Sequence, residues 1–135
     1  MIALMVRLLP VATTLSTPDA DRLASFYAEL LGWERTTAED GWVVIANGDA
    51  LHRIAFHGDE EFVAPVWPSR ADRPQMQVHL EIATDDLGAA VEHAVARGAT
   101  VADHQPQDDV RVMLDPDGHP FCLFEWDGID LVERA

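Results

Sequence analysis

The sequence predicts an α+β fold made of two copies of a β-α-β-β-β module. Three observations predict it. Two stretches, VATTLSTPDADRLASFYAELLGW (11–33) and QVHLEIATDDLGAAVEHAVARGAT (77–100), run in step: each opens as a strand, passes through Thr-(Pro/Asp)-Asp into a helix and ends near a glycine. Three strand candidates separated by turn residues follow each helix. The segment between the halves, GDEEFVAPVWPSRADRPQ (58–75), carries three prolines and no hydrophobic period, so it reads as an extended linker. The predicted layout is a single domain over 1–135, with module one at 8–58, a linker at 59–75 and module two at 76–127.

Each element has its own signal. In the first helix Leu23, Phe26, Tyr27, Leu30 and Leu31 recur at helical spacing. Thr17 is the expected N-cap, with Pro18 at the first helical position and Asp19 in the first turn; Gly32 is the expected stop. Strands follow at 33–38, 42–46 and 52–57, with turns at Glu39-Asp40-Gly41 and Asn47-Gly48-Asp49. In the second helix Leu87, Ala90, Val91, Ala94 and Val95 form the apolar face, Thr84 or Asp85 caps it and Gly98 stops it. Gly88 weakens this helix by about 1 kcal/mol relative to alanine. The closing strands are expected at 100–104, 110–114 and 120–126, with turns at 105–109 and at Asp115-Pro116-Asp117-Gly118. The helices should cover one face of each curved antiparallel sheet and leave the other faces to form a cleft.

Composition narrows the function. The net charge of −15 argues against nucleic-acid phosphates and anionic membranes as partners. No apolar run approaches a membrane span, and Arg7 and Pro10 interrupt the mildly apolar start, which is not read as a signal peptide. Residues 1–5 read as a short extension. A single cysteine excludes an internal disulfide and fits a reducing cytoplasm.

Strand alternation then sorts the side chains. Val78, Leu80 and Ile82 should pack under the second helix, which turns His79, Glu81 and Ala83 into the cleft. The equivalent sets in the first half are Val11, Thr13 and Leu15 toward the helix and Ala12, Thr14 and Ser16 toward the cleft. HRIAFH (52–57) overlays HPFCLF (119–124). That pairs Ala55 with Cys122 and places Arg53, His57, Phe124 and Trp126 on the cleft side, with Ile54, Phe56, Phe121 and Leu123 in the core.

His79 and Glu81 are an inward polar pair. They read either as a handle for ligand or proton, or as a pair satisfied across the sheet. Cys122 reads as a small buried apolar residue; a reactive thiol would need a cationic neighbour, which His79 could be if their strands face each other, and no nucleophile motif surrounds it. Trp67 sits between prolines in a polar linker and is a candidate to close over the cleft or to meet a partner subunit. Phe124 and Trp126 could stack on a flat ligand. Arg53 reads as a rim residue or as an anchor for an anionic group. Asp115-Pro116-Asp117-Gly118 is turn chemistry with no assigned catalytic role.

The segments STPDADRLASFYAELLGW, VHLEIATDDLGAAVEHAVARGA and DPDGHPFCL together resemble the vicinal oxygen chelate superfamily of glyoxalases, bleomycin-resistance proteins and extradiol dioxygenases. The resemblance is nearest to small glyoxalase-like domain proteins and covers about residues 8–126. It implies a homodimer with clefts within or between chains. In metal-dependent members it implies a divalent ion on the first, fourth, fifth and eighth strands, here Ala12, Ala55, His79 and Cys122. Two alanines cannot bind an ion, though Glu81 or His57 could supplement the remaining pair. The expected function is therefore metal-independent and cofactor-free binding of a bulky aromatic or cationic compound such as an antibiotic, through His79, Glu81, Cys122, Phe124, Trp67, Trp126, Arg53 and His57. The alternative is a metal-dependent lyase, isomerase or dioxygenase.

Overall fold

The computed structural model describes residues 6–48 and 52–128. The expected extension over 1–5 and Asp49 of the second predicted turn lie outside them. The element order is β1 (Ala12–Thr17), α1 (Ala20–Leu31), β2 (Glu34–Glu39), β3 (Trp42–Ala46) and β4 (Arg53–Gly58). After the linker come β5 (Leu80–Thr84), α2 (Leu87–Arg97), β6 (Thr100–Val101), β7 (Val110–Leu114) and β8 (Pro120–Glu125). The two β-α-β-β-β modules are present in the predicted order.

Each module forms one four-stranded sheet, β1-β4-β3-β2 and β5-β8-β7-β6. The sheets are mixed where they were expected to be antiparallel. β1 pairs with β4, and β5 with β8, in parallel; the other neighbours are antiparallel. The helix carries the chain away from the first strand of each module, and the last strand returns beside it in the same direction.

The helix caps fall one or two residues later than expected. Thr17 ends β1, and its hydroxyl accepts from the backbone N–H of Asp19 at 3.0 Å. The N-cap is Asp19, whose carboxylate accepts from Arg22 N at 3.1 Å. Module two repeats the geometry: Thr84 accepts from Asp86 N at 3.2 Å, and Asp86, rather than Thr84 or Asp85, caps α2 through Ala89 N. In each case the threonine closes a turn between strand and helix, which leaves the carboxylate to satisfy the first free N–H groups of the helix. Gly32 and Gly98 end the helices with φ of +70° and +119°, the left-handed backbone that favours glycine.

One core serves both modules. Leu23, Phe26 and Tyr27 of α1 pack on Leu15, Val43, Ile45, Ile54 and Phe56 of the first sheet, and the same cluster takes in Met113, Phe121 and Leu123 of the second. Tyr27 stacks on Phe56 at 5.7 Å and meets Phe121 edge-on at 6.0 Å. Burying Leu23, Phe56 and Phe121 is worth about 1.5–3 kcal/mol each.

Three expected core residues lie outside this core. Val11 and Val78 are 44% and 65% exposed because their strands begin one and two residues later, at Ala12 and Leu80. Val95 is 47% exposed. It lies one step around α2 from Ala94, the one fully buried residue of that helix, and so turns away from the sheet. The sixth strand is also short. Beyond Val101 the side-chain amide of Gln105 takes over the pairing: it donates to Ala102 O and Val112 O and accepts from Val112 N, all at 2.8 Å.

Candidate functional site

The open face of the second sheet is built by β5, β7 and β8. The register sets Glu81 beside Cys122 and Cys122 beside Val112, so these three share one face. His79 lies just before β5 and reaches the same face. Its Nε2 lies 2.6 Å from Glu81 Oε1, a pairing that places a proton on Nε2 when the carboxyl is ionised. The expected packing of Ile82, Phe121 and Leu123 toward the helices is what turns this polar set outward.

A cavity of about 170 Å³ opens here, lined by Trp67, Met76, His79, Glu81, Val112 and Cys122, with Pro106, Gln107, Val110 and Pro120 completing it. Trp67 arrives from the linker. Its indole N–H donates to His104 O at 3.0 Å, and its ring packs on the small cluster of Ala102, Val112 and Cys122. The cavity thus has an apolar floor and one aromatic wall. Its polar end is the His79–Glu81 pair, with side chains 33% and 52% exposed.

Cys122 is 9% exposed. Burial, then the adjacent Glu81 carboxylate, push its thiol up to about 11. At neutral pH it is a protonated thiol, not a nucleophile.

Of the eight residues singled out from sequence, the cavity brings together His79, Glu81, Cys122 and Trp67. Arg53 and His57 are exposed on β4 of the other sheet, where His57 meets Trp42 edge-on at 6.5 Å. Phe124 is half-buried on β8 and Trp126 is 48% exposed beyond it; neither lines the cavity. Sequence reasoning passed over Val110 and Val112, which the β7–β8 pairing with Cys122 could have found, and also Met76, Pro106 and Gln107. Those three lie in non-repetitive segments where no period marks an orientation.

The four positions that the superfamily resemblance gives to a metal are Ala12, Ala55, His79 and Cys122, and the two alanines supply no lone pair. That set does not fit a bound ion. A different set converges instead: the ligand atoms of His79, Glu81 and Cys122 lie within 4.8 Å of one another. Nitrogen, oxygen and sulfur donors together suit Zn²⁺ better than a hard ion such as Mg²⁺.

No helix among the described residues is long and apolar enough to cross a membrane. No curated protein matches the chain by sequence. Solved structures do match by fold. A glyoxalase/bleomycin resistance protein/dioxygenase family enzyme from Burkholderia phytofirmans PsJN is 16% identical, with 85% of this chain and 96% of that one covered, at a TM-score of 0.64. The fosfomycin resistance protein FosX from Mesorhizobium loti is 18% identical over 96% and 98%, at 0.63. TnmS3, an antibiotic binding protein from Streptomyces sp. CB03234, is 18% identical over 91% and 98%, at 0.57. At these identities the likeness is one of fold. The glyoxalase-like domain family matches residues 12–124, nearly the whole of both modules, and the chain belongs to that family.

Proposed function

We propose that this protein binds a small molecule without a metal, and that the ligand is a planar aromatic compound carrying a positive charge. The observation that carries this reading is the cavity on the second sheet, apolar and tryptophan-walled at one end and closed by a carboxylate at the other. An aromatic ring suits Trp67, Met76 and Val112. A cation suits Glu81 in a chain of net charge −15. At about 170 Å³ the cavity is smaller than the ~300–1,000 Å³ of most ligand sites, so it seats one ring system and leaves the rest of a bulky compound outside. The likeness in fold to an antibiotic binding protein supports the reading. A homodimer, with a second copy covering the open face of the first sheet, belongs to the same proposal, as does a reducing cytoplasm for the free cysteine.

Tryptophan emission tests it. A protonated aminoquinoline should quench saturably in the presence of EDTA, and the response should fall at least tenfold in Trp67→Phe and in Glu81→Gln. A quinoline carboxylate should bind more weakly. Equal binding of the two probes, or a response unchanged in Trp67→Phe, contradicts the assignment.

A second reading rests on the convergence of His79, Glu81 and Cys122: a zinc site that supplies Lewis-acid chemistry when loaded. Calorimetric titration with Zn²⁺ decides. Tight one-to-one binding lost in both His79→Ala and Cys122→Ser supports zinc; no binding removes it.

A further inference from the structure

The two modules are tied by a polar network away from the cavity. Asp115, in the turn between β7 and β8, is 4% exposed. Its Oδ1 accepts from the backbone N–H groups of Asp117 and His119 at 2.9 and 3.0 Å. Its Oδ2 accepts from the Tyr27 hydroxyl of α1 and from His119 Nδ1, both at 2.8 Å. Burial, then the charge of Asp115, hold the Tyr27 phenol well above its ordinary value, so it stays a donor. Two backbone N–H groups and the Tyr27 hydroxyl donate to Asp115, which favours its ionised form; against a carboxylate the shared proton sits on His119 Nδ1.

The other ring nitrogen faces β1. His119 Nε2 lies 2.8 Å from the backbone carbonyl of Ser16, which can only accept. Both ring nitrogens thus meet pure acceptors, a pairing that only the doubly protonated ring satisfies. The surrounding charges agree. Asp117, its side chain 2% exposed, binds Arg22 of α1 and accepts from Thr17 Oγ1 of β1 at 2.5 Å. Arg22 and a cationic His119 then balance Asp115 and Asp117. The ring of Phe62, from the linker, lies 5.2 Å away and adds no charge.

We propose that His119 is held as an imidazolium and acts as a proton-dependent clasp between the two modules, joining the β7–β8 turn of one to β1 and α1 of the other. Burial alone would lower its basicity, but the hydrogen bond and charge of Asp115, with the Ser16 carbonyl, outweigh burial and raise it above 6.5. The sign follows from linkage. The clasp contributes fully below the unfolded value of 6.5 and is lost as pH rises through the higher folded value.

NMR titration of the imidazole signals in the whole protein tests this, with His119 assigned among the six histidines by loss of its signal in His119→Gln. The expected midpoint lies above 6.5, with both ring nitrogens showing mostly protonated ¹⁵N shifts at pH 6.5. A midpoint at or below that value, or a ring that is mostly neutral at pH 6.5, overturns the clasp. A second measurement compares folding constants of the wild type and His119→Gln across pH. Their ratio should fall about tenfold for each unit by which the NMR midpoint exceeds the unfolded value; a ratio independent of pH overturns the proposal. If the variant does not fold, the His119 signal is assigned instead through its NOEs to the ring of Phe62, 5.2 Å away, and the NMR result decides.

Discussion

Tyr27→Phe removes a single hydroxyl from the joint between the modules. The ring keeps its stacking on Phe56 and its edge contacts with Phe26 and Phe121, so packing is nearly conserved. What is lost is one of four hydrogen bonds to the buried Asp115 carboxylate. A hydrogen bond to a charged group is worth about 1.5–3 kcal/mol. The low end applies, because three donors remain and the buried hydroxyl no longer has to be desolvated. The expected loss is about 1.5–2 kcal/mol. For a chain of this size, with a urea m-value of about 1.5–2 kcal/mol/M, the midpoint should fall by about 1 M at unchanged m. Urea unfolding followed by circular dichroism reads this directly. A loss below about 0.5 kcal/mol would refute the reasoning, since Asp115 would then not depend on Tyr27 for its satisfaction.

Other expectations follow from the same structure. Phe121→Ala should cost about 3–5 kcal/mol and should lower a single unfolding transition, because one core spans both modules; two separate transitions in calorimetry would contradict that. Asp19→Ala should cost about 1 kcal/mol through loss of the α1 cap, whereas Pro18→Ala should cost less, as measured by thermal unfolding. The rate of Cys122 alkylation by iodoacetamide should still be rising at pH 9, with its midpoint at about 11; a plateau in the ordinary thiol range would mean that burial and Glu81 do not hold the thiol as described.

The module repeat was legible because its signals are local: Leu23, Phe26 and Tyr27 at helical spacing, glycines where the helices stop, and alternation along the strands. The inward set of His79, Glu81 and Cys122 was legible for the same reason, since alternation assigns a face to every residue of a strand. The caps were misplaced because Thr17 and Asp19 have interchangeable chemistry, and only backbone geometry decides which of them meets the free N–H groups. Arg53 and His57 show a different limit. Their face within the first module was read correctly, but periodicity inside a module says nothing of which faces share a cavity. Met76 and Gln107 reach the site from segments that have no period. The Asp115 network shows the same gap: a turn motif discloses its own hydrogen bonds, while its partners Ser16, Thr17 and Tyr27 lie about a hundred residues away in the sequence and are set by tertiary packing.

The most direct test of a metal-independent ligand site on the second sheet is amide and indole NMR mapping with a small library of aromatic fragments in EDTA. The account predicts saturable shifts confined to Trp67, Met76, His79, Glu81, Val110, Val112 and Cys122, strongest for protonated amines and abolished in Val112→Trp, which fills the cavity. Shifts that gather elsewhere, or that appear only after Zn²⁺ is added, would contradict it.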